Sequence, residues 1–126
     1  FVPDMISAVK AAEATDPIMI IMADLPLITS ELIDNIIEVY DVRPEPALST
    51  HTPLDLHRRL GRRPDSLFNY QGQLIVPSGI NVLDGEEIER EQEDYHLILE
   101  RIELAVNVNV AEDLRLCERI LQGDFI

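Results

Sequence analysis

The stretch IMIIMADLPLIT, residues 18–29, runs five apolar residues, Ile18 to Met22, straight into Ala23-Asp24-Leu25-Pro26. An apolar run of that length, rich in β-branched residues and closed by a turn signal, predicts a strand buried on both faces. Such strands belong mainly to α/β proteins, whose ligands sit outside the strands' carboxyl ends. Asp24 stands at that end. A lone carboxylate there is placed to bind a divalent cation beside a phosphate. It is equally placed to form a turn, or to cap the next helix, ahead of Pro26. The local residues do not choose between these readings.

Outward from this strand the chain alternates helical and extended patterns. Pro3-Asp4 and the following MISAVKAAEA predict a helix with Met5, Ala8, Val9 and Ala12 on one face. Thr29 or Ser30 caps a second helix over 30–40, striped by Leu32, Ile33, Ile36, Ile37 and Tyr40. DVRPEP at 41–46 is a proline-broken loop, 47–52 a short strand, and 53–68 a short helix followed by an arginine-rich loop. Gln73–Val76 and Ile80–Leu83 read as two short strands separated by Pro77-Ser78-Gly79, and 84–94 as an acidic exposed helix or loop. Residues 95–99 read as a further strand, with a helix as the alternative for Leu97, Ile98 and Leu99. Leu104–Asn109 alternates as a strand and 110–122 carries a helical stripe. This alternation indicates an α/β fold.

Composition narrows the function classes. A chain of 126 residues, 46% apolar and with mean hydropathy near zero, fits one globular domain. The net charge of −14 argues against duplex nucleic acid as a partner, because phosphate neutralisation needs basic surface. No apolar stretch reaches the roughly 20 residues that span a bilayer. A single cysteine, Cys117, permits no internal disulfide and fits a reducing, cytoplasmic setting as a buried thiol. The histidines His51, His57 and His96 show no zinc-ligand spacing with it. No P-loop, dinucleotide fingerprint or nucleophile elbow occurs.

Three further constellations bear on chemistry. In Leu104–Asn109, strand alternation puts Val106, Val108 and Val110 on one face and Asn107 and Asn109 on the other. Two amides on one face supply a metal ligand and a hydrogen-bond partner. Asn109 also has the spacing of a capping box with Glu112, so capping is its favoured role and Asn107 the better functional candidate. In VPSGIN (76–81), Gly79 lets the backbone approach a ligand, and a tight turn between strands explains the same residues. In HRRLGRR (57–63), four of nine arginines, Arg58, Arg59, Arg62 and Arg63, fall within six positions of an acidic chain. Arginine forks bind phosphate oxygens bidentately. The alternative is an exposed loop paired with the acidic 84–94 run, within the chain or across a homodimer.

Taken in order, ADLP after the apolar strand, VPSGINVLDG and NVNVAEDLRLCERIL resemble the later part of a family of nucleotidyltransferases related to the molybdenum-cofactor guanylyltransferase. They are most similar to the archaeal GTP:adenosylcobinamide-phosphate guanylyltransferases of cobalamin biosynthesis. The resemblance covers nearly the whole chain and is most specific at VPSGIN and NVN-x-x-EDL. It implies a Rossmann-like α/β/α sandwich with a mixed, mostly parallel sheet. It also implies Mg²⁺-dependent transfer of GMP from GTP to adenosylcobinamide phosphate, with release of pyrophosphate. On this resemblance Asp24 is the expected Mg²⁺ ligand, with Asn109 beside it, and Gly79 and Asn107 belong to the motifs that shape the active site, with Asn81 a neighbour. The assignment of Arg58, Arg59 and Arg62 to a second anion rests on their charge alone.

The family opens with a glycine-rich loop whose amides hold the triphosphate. The chain begins at Phe1, close to a helix, and has no such loop. It therefore reads as one incomplete nucleotidyltransferase-like domain, residues 1–126, without the first strand and helix. Because the acceptor phosphate is itself the nucleophile, no protein nucleophile is required, in keeping with the lack of a triad motif. The alternatives are another nucleotidyltransferase of the same fold, with a molybdopterin or sugar-phosphate acceptor, or a non-catalytic nucleotide-binding or dimerisation module.

Overall fold

The structure is a computed structural model and describes residues 2–13 and 16–123. Five strands form one mixed sheet: β1 (Pro17–Ile21), β2 (Ala47–Pro53), β3 (Phe68–Tyr70), β4 (Gln73–Asp84) and β5 (Asp94–Ile98). The order is β1-β4-β2-β5, with the short β3 also paired to β4. Helices α1 (Val2–Ala11), α2 (Ser30–Val42), α3 (Leu54–Arg59), α4 (Ile102–Ala105) and α5 (Ala111–Leu121) complete the fold. This is an open, Rossmann-like α/β architecture. Ala14, the last residue of the first predicted helix, lies outside the described residues. No helix among the described residues is long and apolar enough to cross a membrane.

The expectation of a mostly parallel sheet is corrected. β4 pairs antiparallel with β1, β2 and β3, and only β2 and β5 pair in parallel. The cause is the position of β4: a reversed strand in the middle makes both of its flanks antiparallel. Because β1 and β2 both oppose β4, and β5 follows β2, these three strands nevertheless point the same way. Their carboxyl ends share one edge, as in a parallel sheet.

One face of the sheet carries the core. Leu48, Ile80, Val82 and Leu97 pack with Leu32 and Ile36 of α2, and Met19, Val39, Tyr40 and Tyr95 close the cluster. Thr29, not Asp24, caps α2: its Oγ1 accepts the Leu32 N–H at 3.2 Å. On the opposite pleat, Ile18 and Ile20 line an apolar groove with Met5, Ala8 and Val9 of α1 and Ala12 just after it.

β1 is not buried on both faces. Ile18, Met19 and Ile20 are half-buried, and Ile21 and Met22 are 40% and 39% exposed. β4 is the only strand that pairs with β1 among the described residues, so β1 stands at the sheet's edge.

The two predicted strands at 73–76 and 80–83 are one strand, and the expected turn is a bulge within it. Opposite β4 the register shifts: Ser49 faces Asn81 but His51 faces Pro77. One residue of β2 therefore spans three of β4, and the excess is absorbed at Ser78-Gly79, with Gly79 at φ +79°. Buried hydroxyls clamp the bulge. Ser78 Oγ donates to Thr50 Oγ1 at 2.9 Å, and Thr50 Oγ1 donates to the Ile80 carbonyl at 2.7 Å.

A Cβ on Gly79 would meet Met22 Cγ at 2.9 Å and Met22 Cβ at 3.3 Å. Gly79→Ala combines this clash with a strained left-handed backbone and is expected to cost roughly 1–3 kcal/mol. A lower denaturant midpoint at unchanged slope is the result that checks it.

Two more expectations are corrected. Leu104–Asn109 is not a strand: Leu104 and Ala105 belong to α4, and 106–109 form no ladder. β3 and its Gln71-Gly72 turn, at φ +51° and +86°, carry no strand signal beyond the glycine.

Candidate active site

A cleft of about 440 Å³ opens beyond the carboxyl end of β1. It gathers Asp24 after β1, Gly79 from the β4 bulge, Arg62 and Arg63 after α3, and Asn107 and Asn109 before α5. Backbone bonds fix the arrangement. Met22 N–H donates to the Gly79 carbonyl at 3.0 Å, and Val108 N–H donates to the Asp24 carbonyl at 2.8 Å. The second bond ties the 106–109 segment to the turn after β1. The alternation expected there survives over four residues: Val106 and Val108 enter a core with Leu27 and Cys117, while Asn107 and Asn109 line the cleft.

The carboxylate of Asp24 is half-buried and has no hydrogen bond or ion pair among the described residues. A capping or turn-forming aspartate would accept a nearby backbone N–H. Asp24 does not, and Thr29 already caps the following helix. Its charge is thus left to the cleft.

Arg62 organises the opposite wall. α3 ends in a Schellman turn: Gly61, at φ +72°, donates its N–H to the Arg58 carbonyl at 3.0 Å, and Arg62 N–H reaches the His57 carbonyl at 2.9 Å. This turn sends the Arg62 side chain to α5. Nη1 donates to Asp113 Oδ1 at 2.8 Å, and Nη2 donates to Asn107 Oδ1 at 3.0 Å and to its carbonyl at 3.2 Å. With Oδ1 engaged, Asn107 keeps its amide N–H donors for a ligand.

Asp113 performs the capping that the sequence assigned to Asn109. The N-cap of α5 is Val110, whose side chain has no acceptor. Three residues on, Asp113 Oδ2 accepts the N–H of Asn109 at 2.9 Å and of Val110 at 3.1 Å. Those bonds shift the cap by one residue and leave the Asn109 side chain exposed at the cleft.

The Asn109 N–H, then the Arg62 guanidinium and the Val110 N–H, hold the Asp113 carboxyl below the usual range. A depressed folded value stabilises the protein fully above the unfolded carboxylate value of about 3.9, and the gain drains as pH falls through the folded value. Asp113→Asn is therefore expected to lower stability near neutral pH by about 1 kcal/mol or more, as for a lost cap. Its deficit should shrink in acid. Denaturant midpoints of both proteins at pH 6 and below pH 3 make the comparison.

Not every candidate reaches this cleft. Asn81 sits in mid-strand between Ile20 and Ser49 and does not line it. Arg59 lines neither this cleft nor the groove beside it and pairs with Asp55 and Glu100. Arg58 lies in a neighbouring groove. None of the four clustered arginines pairs with the acidic 84–94 run; there Lys10 pairs with Glu89 and Arg90 with Glu87.

The residue patterns assigned no role to Asp113, nor to His57, which also lines the cleft. His57 is 5% exposed and its Nε2 lies 2.6 Å from Thr52 Oγ1. Burial, with Arg62 adding, pushes its imidazole below the ordinary value. The spacing of Asp113 three residues after the N-cap was the signal available for it. His57 carried none.

No family model and no curated protein matches the sequence. Among solved structures, a hypothetical transferase from Thermus thermophilus is similar in fold, with a TM-score of 0.71 at 11% identity. The likeness covers 90% of this chain and 69% of that one. At this identity it establishes the shared architecture alone.

Proposed function

We propose that the chain carries a nucleotidyltransferase site, transferring GMP from GTP to adenosylcobinamide phosphate. The observation that carries the reading is Asp24: an unpartnered, half-buried carboxylate at the strands' carboxyl edge, facing a clamped asparagine and a basic loop. The fold shared with a structure named as a transferase supports the broader class, and the VPSGIN and NVN-x-x-EDL segments support the acceptor.

The donor set fits Mg²⁺. No group of three or more His, Cys, Asp or Glu side chains capable of holding a metal exists among the described residues. Mg²⁺ is commonly held by one or two carboxylates together with substrate phosphates, not by an all-protein cage. Asp24 would hold it, with Asn109 as the nearby oxygen donor. When bound, the ion supplies charge neutralisation for the phosphates.

The chain's residues do the remainder. Attack of an acceptor phosphate oxygen on the α-phosphorus forms one P–O bond. The bond to the bridging oxygen breaks, and pyrophosphate leaves with the electron pair. Both reactants are anionic, so repulsion dominates the barrier. Asn107 donates N–H to a phosphate oxygen, and Arg63 adds positive charge. Arg62 and Asp113 position Asn107.

Pyrophosphate release from GTP in the presence of adenosylcobinamide phosphate and Mg²⁺, assayed with the full-length protein, tests the reading. Release with a molybdopterin or sugar-phosphate acceptor instead would move the assignment to another nucleotidyltransferase. No release with any acceptor would leave a nucleotide-binding or dimerisation module.

A further inference from the structure

We propose that the groove between Arg58 and Arg63 is a second anion subsite, taking the phosphate monoester of the acceptor substrate. The acceptor assignment rests on the nucleotidyl-transfer reading; the anion site does not. The chain has 24 carboxylates against 10 Lys and Arg, so its cations are readily neutralised. Lys10, Arg43, Arg59, Arg62, Arg90 and Arg101 each pair with a carboxylate. Among the described residues Arg58, Arg63 and Arg115 have no partner. Two of these three line one groove of about 440 Å³.

That groove contains no carboxylate. Its polar lining is Arg58, Arg62 and Arg63, and the charge of Arg62 is already met by Asp113. Two arginines without counter-ions thus line one concavity, and guanidinium groups bind phosphate oxygens through forked hydrogen bonds. The Schellman turn at Gly61 sets their spacing, since Arg58 lies before it and Arg63 after it. Leu54 and Leu67 supply apolar wall, which suits an organic phosphate ester.

Position ties this groove to the reaction. Arg62, Arg63 and Pro64 line both it and the cleft that holds Asp24. An anion held between Arg58 and Arg63 therefore borders the site where the nucleotide phosphates would lie. A second anionic substrate needs such a place, because without local positive charge it is repelled by the first.

Titration of the 126-residue chain with inorganic phosphate, followed by amide shifts in ¹H–¹⁵N spectra, tests the subsite. Shifts are expected at residues 58–64. Arg58→Ala and Arg63→Ala should each weaken binding roughly tenfold, the worth of a charge-assisted pair. Both side chains are exposed, and the spectra themselves report whether each variant folds. Arg115→Ala removes an unpaired arginine that lines neither groove and should change affinity less than twofold. Equal loss in Arg115→Ala would overturn the proposal in favour of general charge, as would phosphate shifts confined elsewhere. A parallel titration with Mg²⁺–GTP separates the two readings. If Arg58→Ala weakens GTP as much as phosphate, the groove belongs to the donor triphosphate and the acceptor assignment falls. If phosphate behaves as expected while no acceptor supports pyrophosphate release from GTP, the anion site stands and the nucleotidyl-transfer reading falls.

Discussion

Asp24→Asn is expected to reduce Mg²⁺-dependent nucleotidyl transfer by roughly 10²–10³-fold in kcat/KM while leaving the fold intact. The magnitude follows from removing a preorganised charge that faces developing negative charge in a partly enclosed cleft. The separation from stability follows from what Asp24 touches. Its carboxylate accepts no hydrogen bond among the described residues, and only its backbone carbonyl, which asparagine keeps, is bonded, to Val108 N–H. Removing an unpaired, half-buried charge should leave the thermal midpoint unchanged or slightly raised, the usual trade at a functional site. A variant with full activity would return Asp24 to the role of a turn residue. A variant that unfolds would contradict the bonding pattern described for it.

Arg62→Ala is expected to have the second largest effect, and on both axes. Truncation leaves Asp113 without its guanidinium and releases Asn107 Oδ1 and the Asn107 carbonyl. Arg62 and Asp113 are only 17% and 15% exposed, so their bonds are sheltered from solvent. Losing charge-assisted bonds in that setting should cost about 2–3 kcal/mol. Activity should fall by about 10²-fold at substrate saturation, because a misplaced positioning group is felt in kcat. Arg62→Ala together with Asp113→Asn gives a double-mutant cycle. A coupling of 1 kcal/mol or more is expected for residues in one network, and strict additivity would show that the ion pair contributes nothing.

Much of this site was legible before the fold. The apolar run into Asp24 placed a carboxylate at a strand's carboxyl end, and residue alternation sorted Val106 and Val108 from Asn107 and Asn109. What failed shares a physical cause: it depended on partners distant in sequence. Pro77-Ser78-Gly79 has the composition of a turn, and only the Thr50 hydroxyl, 28 residues before Ser78, makes it a bulge in a continuous strand. The cap on α5 was legible in the spacing of Asp113 from Val110, whereas its bond to Arg62, 51 residues upstream, was not.

The arginine cluster illustrates the same limit. Four arginines alike in sequence divide into one bound on the surface, one built into the site and two without partners. Local sequence carries no information on that division, since each outcome is fixed by which carboxylates the fold brings near. Strand direction was likewise hidden. The resemblance suggested a mostly parallel sheet, yet three strands do share a direction, and β4 inserted among them reverses the pairings without moving the carboxyl edge.

The central claim is that Asp24 and the asparagines opposite it form a cation-dependent nucleotide site. Paramagnetic broadening in ¹H–¹⁵N spectra tests it most directly, with Mn²⁺ standing in for Mg²⁺ in the presence of GTP. The expected result is early broadening of the amides of Asp24, Gly79, Asn107 and Asn109, lost in Asp24→Asn. Broadening confined to the acidic 84–94 segment, or unchanged in Asp24→Asn, would contradict it.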